Sequence, residues 1–283
     1  MQSSLLLAHA ITSVHFGTGD ALSDIDLPTA REPATGLPIG PGSSLKGCLR
    51  DLCTDPVEAA AVFGPDQQAS SDHAGALQLC DLRLACLPVK SLCGIFAWVI
   101  SPYVIERLNR DRELCGLPTL PLPQVAAVDR CLIADGSVLP LPGSTTVVLL
   151  DLDLVSKLEK EALAPLSECL SRIAPGIAAR LCVVHDDVMS FLCRTALQID
   201  ARIALDDDTK TVKRGALWYQ ESLPAETILV TVGSAAPARA VGRTEAQIMA
   251  TLDGLLARPF QIGGDATTGR GIVRMRRIDN ANA

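Results

Sequence analysis

Aromatic residues are scarce in this chain: five Phe, two Tyr and two Trp among 283 residues. An adjacent pair such as Trp218-Tyr219 is therefore conspicuous, and in a strand one of the two must face outward. Histidine is as scarce, with four copies at His9, His15, His73 and His185 and no zinc-ligand spacing between them. The ten cysteines include no Cys-x-x-Cys pair. Cys48, Cys53, Cys93, Cys131 and Cys182 lie in apolar stretches and read as small, reduced core residues, not a disulfide framework. No apolar run reaches membrane-spanning length, and residues 1–8 lack a basic leader, so they read as a first strand. These features point to the cytoplasm and to no membrane partner. Basic charge is also short, 25 Lys and Arg against 32 Asp and Glu for a net −7, which argues against a free-standing nucleic-acid binder.

What is present begins with a core: 48% of the residues are apolar and 20% charged, enough for one or two domains. Near the start, Gly40-Pro41-Gly42-Ser43-Ser44-Leu45-Lys46-Gly47-Cys48-Leu49-Arg50 is a glycine-rich turn running into a helix. Leu45, Cys48, Leu49, Leu52 and Cys53 recur at helical spacing, and Lys46 and Arg50 are four apart, on one flank. Ser43 or Ser44 is placed to cap the first turn. Such an N-terminus offers free backbone N–H groups and partial positive charge to a phosphate. The Gly-Lys-Ser/Thr order of a nucleotide P-loop is missing. Read alone, the segment is equally a capped, solvated core helix. A second segment, Gly263-Gly264-Asp265-Ala266-Thr267-Thr268-Gly269-Arg270-Gly271, supplies positive φ values and close backbone approach, with Arg270 as its charge. The strand-like run 272–278 that follows carries Arg274 and Arg276 on one face.

Between these segments, strands alternate irregularly with helices, which fits an α+β fold. Strands are expected at 5–16, 76–84, 92–100, 145–154, 181–184 and 227–232, and a hairpin at 202–205 and 212–219. Helices are expected at 44–54, after Ser101-Pro102, over most of 155–173 and after the capping box Thr244-Glu245-Ala246-Gln247. Residues 116–124 read as an extended connection, and 67–75 as a polar tip. The stretch 20–40 reads as a long loop, and a long loop inside a compact domain is usually functional. Within it, Asp24 and Asp26 lie close to Arg31 and Glu32. Such a carboxylate can hold a divalent ion or accept a proton from a 2′-hydroxyl, but loop acids are more often simply solvated. His15, before Gly17-Thr18-Gly19, is placed for proton transfer or for a structural hydrogen bond. Glu221 and Glu226 flank Leu223-Pro224 and read as surface acids with a possible part in a neighbouring site. Trp218 and Tyr219 can stack on or wedge between bases, although aromatics in a strand are more often core.

Taken together, the segments resemble the repeating backbone subunits of type III-B CRISPR (Cmr) effectors, within the RAMP superfamily of RNA-binding proteins. The matching pieces are His15-Phe16-Gly17-Thr18-Gly19, Asp24-Ile25-Asp26-Leu27-Pro28, Pro41-Gly42-Ser43-Ser44-Leu45-Lys46-Gly47, Val62-Phe63-Gly64-Pro65, Phe96-Ala97-Trp98-Val99, Gly215-Ala216-Leu217-Trp218-Tyr219 with Leu223-Pro224, and the glycine segment from Gly263.

The resemblance implies a single RAMP domain over 1–283 with a modified RNA-recognition-motif (ferredoxin-like) core. It also implies a hairpin thumb inserted at 187–225, a catalytic loop at 20–40 and a variable insertion at 55–75. It implies an endoribonuclease that acts inside the assembled complex through Asp26, the acid directly before Leu-Pro, with a divalent metal, Mg2+ or Mn2+, at Asp26. His15, Glu221 and Glu226 are candidate catalytic supports. Ser43, Ser44, Lys46, Arg50, Gly263, Gly264, Thr267, Thr268, Arg270, Trp218 and Tyr219 are candidate RNA contacts. The implied partners are a guide crRNA, a target RNA, further copies of the chain in a filament and other Cmr subunits. The alternatives are a non-catalytic guide-RNA scaffold, the equivalent type III-A subunit, and an unrelated small-molecule enzyme that uses the glycine loops for phosphate.

Overall fold

A computed structural model of the chain describes residues 1–18, 25–65, 74–206, 208–209, 211–238 and 242–278. In chain order the first elements are β1 (Gln2–Ala10), β2 (Ile39–Gly40), α1 (Gly42–Leu52), α2 (Pro56–Phe63), β3 (Leu77–Leu79), β4 (Leu82–Lys90), β5 (Phe96–Ile100) and α3 (Pro102–Leu114). There follow β6 (Arg130–Ile133), β7 (Thr146–Leu149), β8 (Leu152–Leu158), α4 (Lys160–Ser171), β9 (Leu181–Val184) and α5 (Asp186–Thr195). The chain closes with β10 (Gln198–Leu205), β11 (Val212–Ser222), β12 (Ile228–Ala235), α6 (Glu245–Leu255), β13 (Phe260–Gln261) and β14 (Ile272–Ile278).

The centre is four antiparallel strands in the order β14-β1-β12-β4. With α1 between β1 and β4, and α6 between β12 and β14, this is the ferredoxin-like path expected of an RNA-recognition-motif core. The connection from β4 to β12 carries the rest of the fold. Its strands extend the sheet as β5-β9-β6-β8-β7, with parallel pairings at β5–β9 and β6–β8. Among the described residues only β10 and β11 leave that sheet, as a separate antiparallel hairpin.

Leu5, Leu6 and Leu7 are all fully buried, so both faces of β1 are covered. Leu7 pairs with Val230, Val230 pairs with Arg83, and Arg83 bonds Asp111 of α3, which places α3 over the Leu5 and Leu7 face. Leu6 meets Leu252 of α6 around Gly233 on the other face. The α6 capping box forms as expected: Thr244 accepts from the Gln247 N–H, and the Gln247 side chain accepts in return from the Thr244 N–H.

Several boundaries differ from the sequence expectation. The first strand ends at Ala10, not at residue 16, because Ile11 and Thr12 both donate to the Ile272 carbonyl and Val14 then bridges Leu223. Residues 155–158 are strand, not helix, since pairing of β8 with both β6 and β7 overrides their local helical pattern. The helix α5 has no counterpart in the sequence reading, although His185 accepts from the Asp187 N–H at its start and two acids occupy its first turn. Neither Ser43 nor Ser44 caps α1; the Gly42 N–H donates instead to Asp81 across the fold (2.7 Å). The expected polar tip at 67–75 lies almost wholly outside the described residues, as does Asp24.

Candidate nucleic-acid interface

The segment after residue 25 is zipped onto the hairpin root. Leu27 donates to the Tyr219 carbonyl (3.0 Å), and the Glu221 N–H donates to the Leu27 carbonyl (2.9 Å). These bonds make a parallel bridge between Leu27 and Gln220. Beside it, the exposed Asp26 carboxylate accepts a hydrogen bond from the Tyr219 N–H through Oδ2 at 2.8 Å. Its Oδ1 has no hydrogen-bond partner among the described residues. The acid is thus oriented by backbone groups of β11, not left to swing in a loop.

The segment is fixed from below by one buried acid. Glu221 was expected on the surface, yet it is 3% exposed. Its carboxylate accepts from Arg31 (2.7 Å) and from the Thr29 N–H (3.1 Å). Arg31 also donates to the carbonyls of Gly36 and of Cys193 at the end of α5. Glu32 forms a two-pronged pair with Arg107 of α3, both bonds at 2.9 Å. Glu226 is engaged elsewhere, by His9 of β1 at 2.8 Å.

His15 joins the two glycine segments. Its Nδ1 is 2.6 Å from the Glu221 carbonyl, and its own carbonyl accepts from the Gly264 N–H at 2.9 Å. At Gly263, φ is +78° and a Cβ would run into the His15 carbonyl, so both backbone conformation and space demand glycine. His15, Gly17, Ser44, Gly47, Gly263 and Gly264 line a cleft of about 400 Å³ at the start of α1. Residues far apart in sequence therefore bring the first turns of α1 and a backbone loop to one groove, with Asp51 also at its wall and the Gly42 N–H already taken by Asp81.

Lys46 and Arg50, paired by spacing, part company here. Lys46 is half-buried and makes no hydrogen bond or ion pair among the described residues. Arg50 donates to the carbonyls of Gly64 (2.6 Å) and Pro65 (3.4 Å), closing the C-terminal end of α2. Lys46→Ala should therefore reduce the log–log salt slope of RNA binding by ~0.7–0.9, one phosphate contact. Arg50→Ala should leave that slope unchanged and lower the melting temperature; equal slope changes from both would mean the two cations do the same job.

The second glycine segment is clasped to the hairpin by crossed ion pairs. Arg270 donates to Asp200 of β10 (2.7 Å), and Arg202 of β10 donates to Asp265 in the loop (2.8 Å). Gln220 of β11 adds a bond to the same Asp265 carboxylate. The hydrogen bond from Arg270 holds the Asp200 carboxyl below the usual range. Arg270, expected to meet RNA, is thus already paired to the hairpin. Thr267 and Thr268 are exposed on a single 3-10 turn.

Register splits the hairpin into two faces. Asp200, Arg202, Trp218 and Gln220 share the clasped face. Ile199, Ile203, Leu217 and Tyr219 lie on the opposite face and are exposed, while Glu221 at the root of that face is buried under Arg31. Trp218 is half-buried opposite Arg202, so Tyr219 is the outward member of the aromatic pair. The clasp residues Asp200, Arg202 and Asp265 went unnoticed in the sequence, because partners 63 and 70 residues apart leave no local pattern.

The sequence profile of the RAMP superfamily matches residues 8–274. The chain belongs to the RAMP superfamily. This RAMP chain is 31% identical over 286 residues to the CRISPR system Cmr endoribonuclease Cmr4 of Pyrococcus furiosus, covering 97% of its own length and 95% of that protein. Its fold is similar to the crystal structure of oligomeric Cmr4 from Pyrococcus furiosus, with a TM-score of 0.76, 23% identity, and coverage of 99% of this chain and 100% of that one. It is also similar to a subunit in the cryo-EM structure of a type III-B Cmr-beta complex bound to cognate target RNA. That match has a TM-score of 0.78 and 22% identity, and covers 98% and 97% of the two chains. Among the described residues, no helix of this RAMP chain is long and apolar enough to cross a membrane.

Proposed function

We propose that this chain is the guide-RNA-binding backbone subunit of a type III-B CRISPR effector, and that it cleaves complementary target RNA beside its own hairpin. It would work in the cytoplasm with guide crRNA, further copies of itself and other Cmr subunits. The observation that carries the reading is the bond from the Tyr219 N–H to Asp26: the acid is fixed to the root of the hairpin. A non-catalytic scaffold would need no oriented acid at that point.

In this reading the guide backbone follows the groove between the α1 N-terminus and the Gly263–Gly264 turn, with Lys46 at its edge. The hairpin wedges the guide–target duplex and holds one target nucleotide out of the helix. That release matters, because an A-form duplex forbids in-line attack of a 2′-hydroxyl on its own phosphate. Asp26 accepts the 2′-hydroxyl proton as the 2′-oxygen bonds to phosphorus. The bond to the 5′-oxygen breaks, and that oxygen takes a proton from water. The products are a 2′,3′-cyclic phosphate and a 5′-hydroxyl.

Among the described residues no three His, Cys, Asp or Glu side chains come together to hold a metal. Asp26 alone would hold a divalent ion, through one carboxylate oxygen, and the remaining ligands would have to come from RNA and water, as is common for Mg2+. Such an ion would stabilise negative charge building on the phosphate.

The hairpin turn gives a direct test of the wedge. Asp206 knots the turn by accepting from the N–H groups of Asp208 and Thr209. Deleting 206–209 should blur the spacing of target cuts before it weakens RNA binding. A sharp, unshifted product ladder from the deletion variant would reject the wedge.

A further inference from the structure

Away from the groove, α3, α4 and the far end of β14 enclose a second cavity, of about 180 Å³. Its walls include Pro118, Leu120, Pro165 and Ile278, together with Arg112 and Arg172, whose charges both act on the Cys169 thiol at the same wall. Arg112 is 4% exposed. Its Nε donates to the Pro118 carbonyl (2.7 Å), and one terminal nitrogen approaches the Cys169 sulfur (3.2 Å). No carboxylate among the described residues pairs with it. Burial raises the Cys169 thiol, so it stays neutral and provides no counter-charge.

A buried cation without an anion is costly, and most proteins pair or neutralise it. This chain adds further positive charge at the same place. Arg276 projects from β14 on the Ile278 face and donates to the Arg172 carbonyl (3.1 Å). Neither Arg172 nor Arg276 makes an ion pair among the described residues. Glu168, at the cavity wall, is exposed and bonds neither arginine. On a body of net charge −7, this concentration of unpaired arginine is local and directed.

We propose that the cavity is a binding site for a tetrahedral oxyanion, a phosphate group, held between Arg112 and Arg172. Two guanidinium groups present planar sets of N–H donors suited to phosphate oxygens. The volume falls below the ~300–1,000 Å³ typical of sites for larger organic ligands, which selects a single phosphate over a whole nucleotide. Bound there, the anion would tie α3, α4 and β14 together at the end of the sheet opposite the glycine segment. The inference is independent of whether the chain cuts RNA.

The test is calorimetric titration of the purified chain with inorganic phosphate at constant ionic strength, with chloride as control and a parallel melting series. Binding should appear in the wild-type chain and raise its melting temperature. Arg172→Gln, at a half-buried position where misfolding is not expected, should weaken binding by about tenfold, the loss of one charge-assisted hydrogen bond. Arg112→Gln should abolish it. Asp279→Asn tests whether the carboxylate next in sequence serves as the counter-ion. Equal phosphate binding by Asp279→Asn and wild type supports the site. Binding by Asp279→Asn alone would mean that Asp279 already neutralises the cavity, and it would overturn the proposal. So would no binding to the wild-type chain, or an Arg172→Gln variant that binds like wild type. A separate arm with a short 5′-phosphorylated oligoribonucleotide, compared with its 5′-hydroxyl form, distinguishes an RNA terminal phosphate from the free anion.

Discussion

Asp26→Ala should reduce cleavage of a complementary target by ~10²-fold or more, as expected for loss of a positioned general base, and should leave target binding nearly intact. The separation of effects follows from the position of Asp26. Its carboxylate is exposed and, among the described residues, bonded only to the Tyr219 N–H, and the adjoining backbone stays attached to β11 through Leu27 without it. Asp26→Asn sharpens the test, because the amide oxygen still accepts from Tyr219 but the side chain no longer takes a proton. Single-turnover cleavage beside a binding titration measures both quantities. A variant that cuts at the wild-type rate removes Asp26 from the chemistry.

Arg31→Ala should be the most damaging substitution for folding around the site. It strands the Glu221 carboxylate, whose side chain is only 4% exposed and keeps a single remaining bond, from the Thr29 N–H. Removing one partner of a buried pair costs about 3 kcal/mol or more, because the surviving charge stays desolvated. It also removes the bonds from Arg31 to the Gly36 and Cys193 carbonyls, leaving the segment held to β11 by Leu27 and Thr29. Glu221→Gln in the Arg31→Ala background should recover part of the loss, since the unpaired charge is gone. Denaturant unfolding of the two single variants and the double variant supplies the cycle. An Arg31→Ala chain within ~0.5 kcal/mol of wild type would mean water already reaches Glu221.

The contrast between Arg50 and Lys46 shows what local pattern conveys. Both sit on one flank of α1, where spacing alone leaves a phosphate contact and a solvated helix face equally open. Only the fold shows that α2 ends beside Arg50 and takes its guanidinium. Glu221 is the converse case. In sequence it is one acid among several near Leu223-Pro224, and its burial depends on Arg31, 190 residues away. The α6 capping box, the buried strand β9 and the start of α3 at Pro102 were legible because their causes are local: a cap, an apolar run, a proline in the first turn. The β1 boundary and the strand at 155–158 were not, because pairing with distant strands decides both. The two glycine segments announced unusual backbone, but their meeting over His15 is a property of the tertiary fold alone.

In the proposed reading, the acid and the wedge form one unit that repeats with every copy of the subunit. The measurement that tests it most directly is end-mapping of products from a complex reconstituted with guide and fully complementary target RNA. The prediction is a series of cuts at one constant interval, each leaving a 2′,3′-cyclic phosphate and a 5′-hydroxyl. An intact target, a single cut, or cuts with no regular spacing in a fully assembled complex would contradict it.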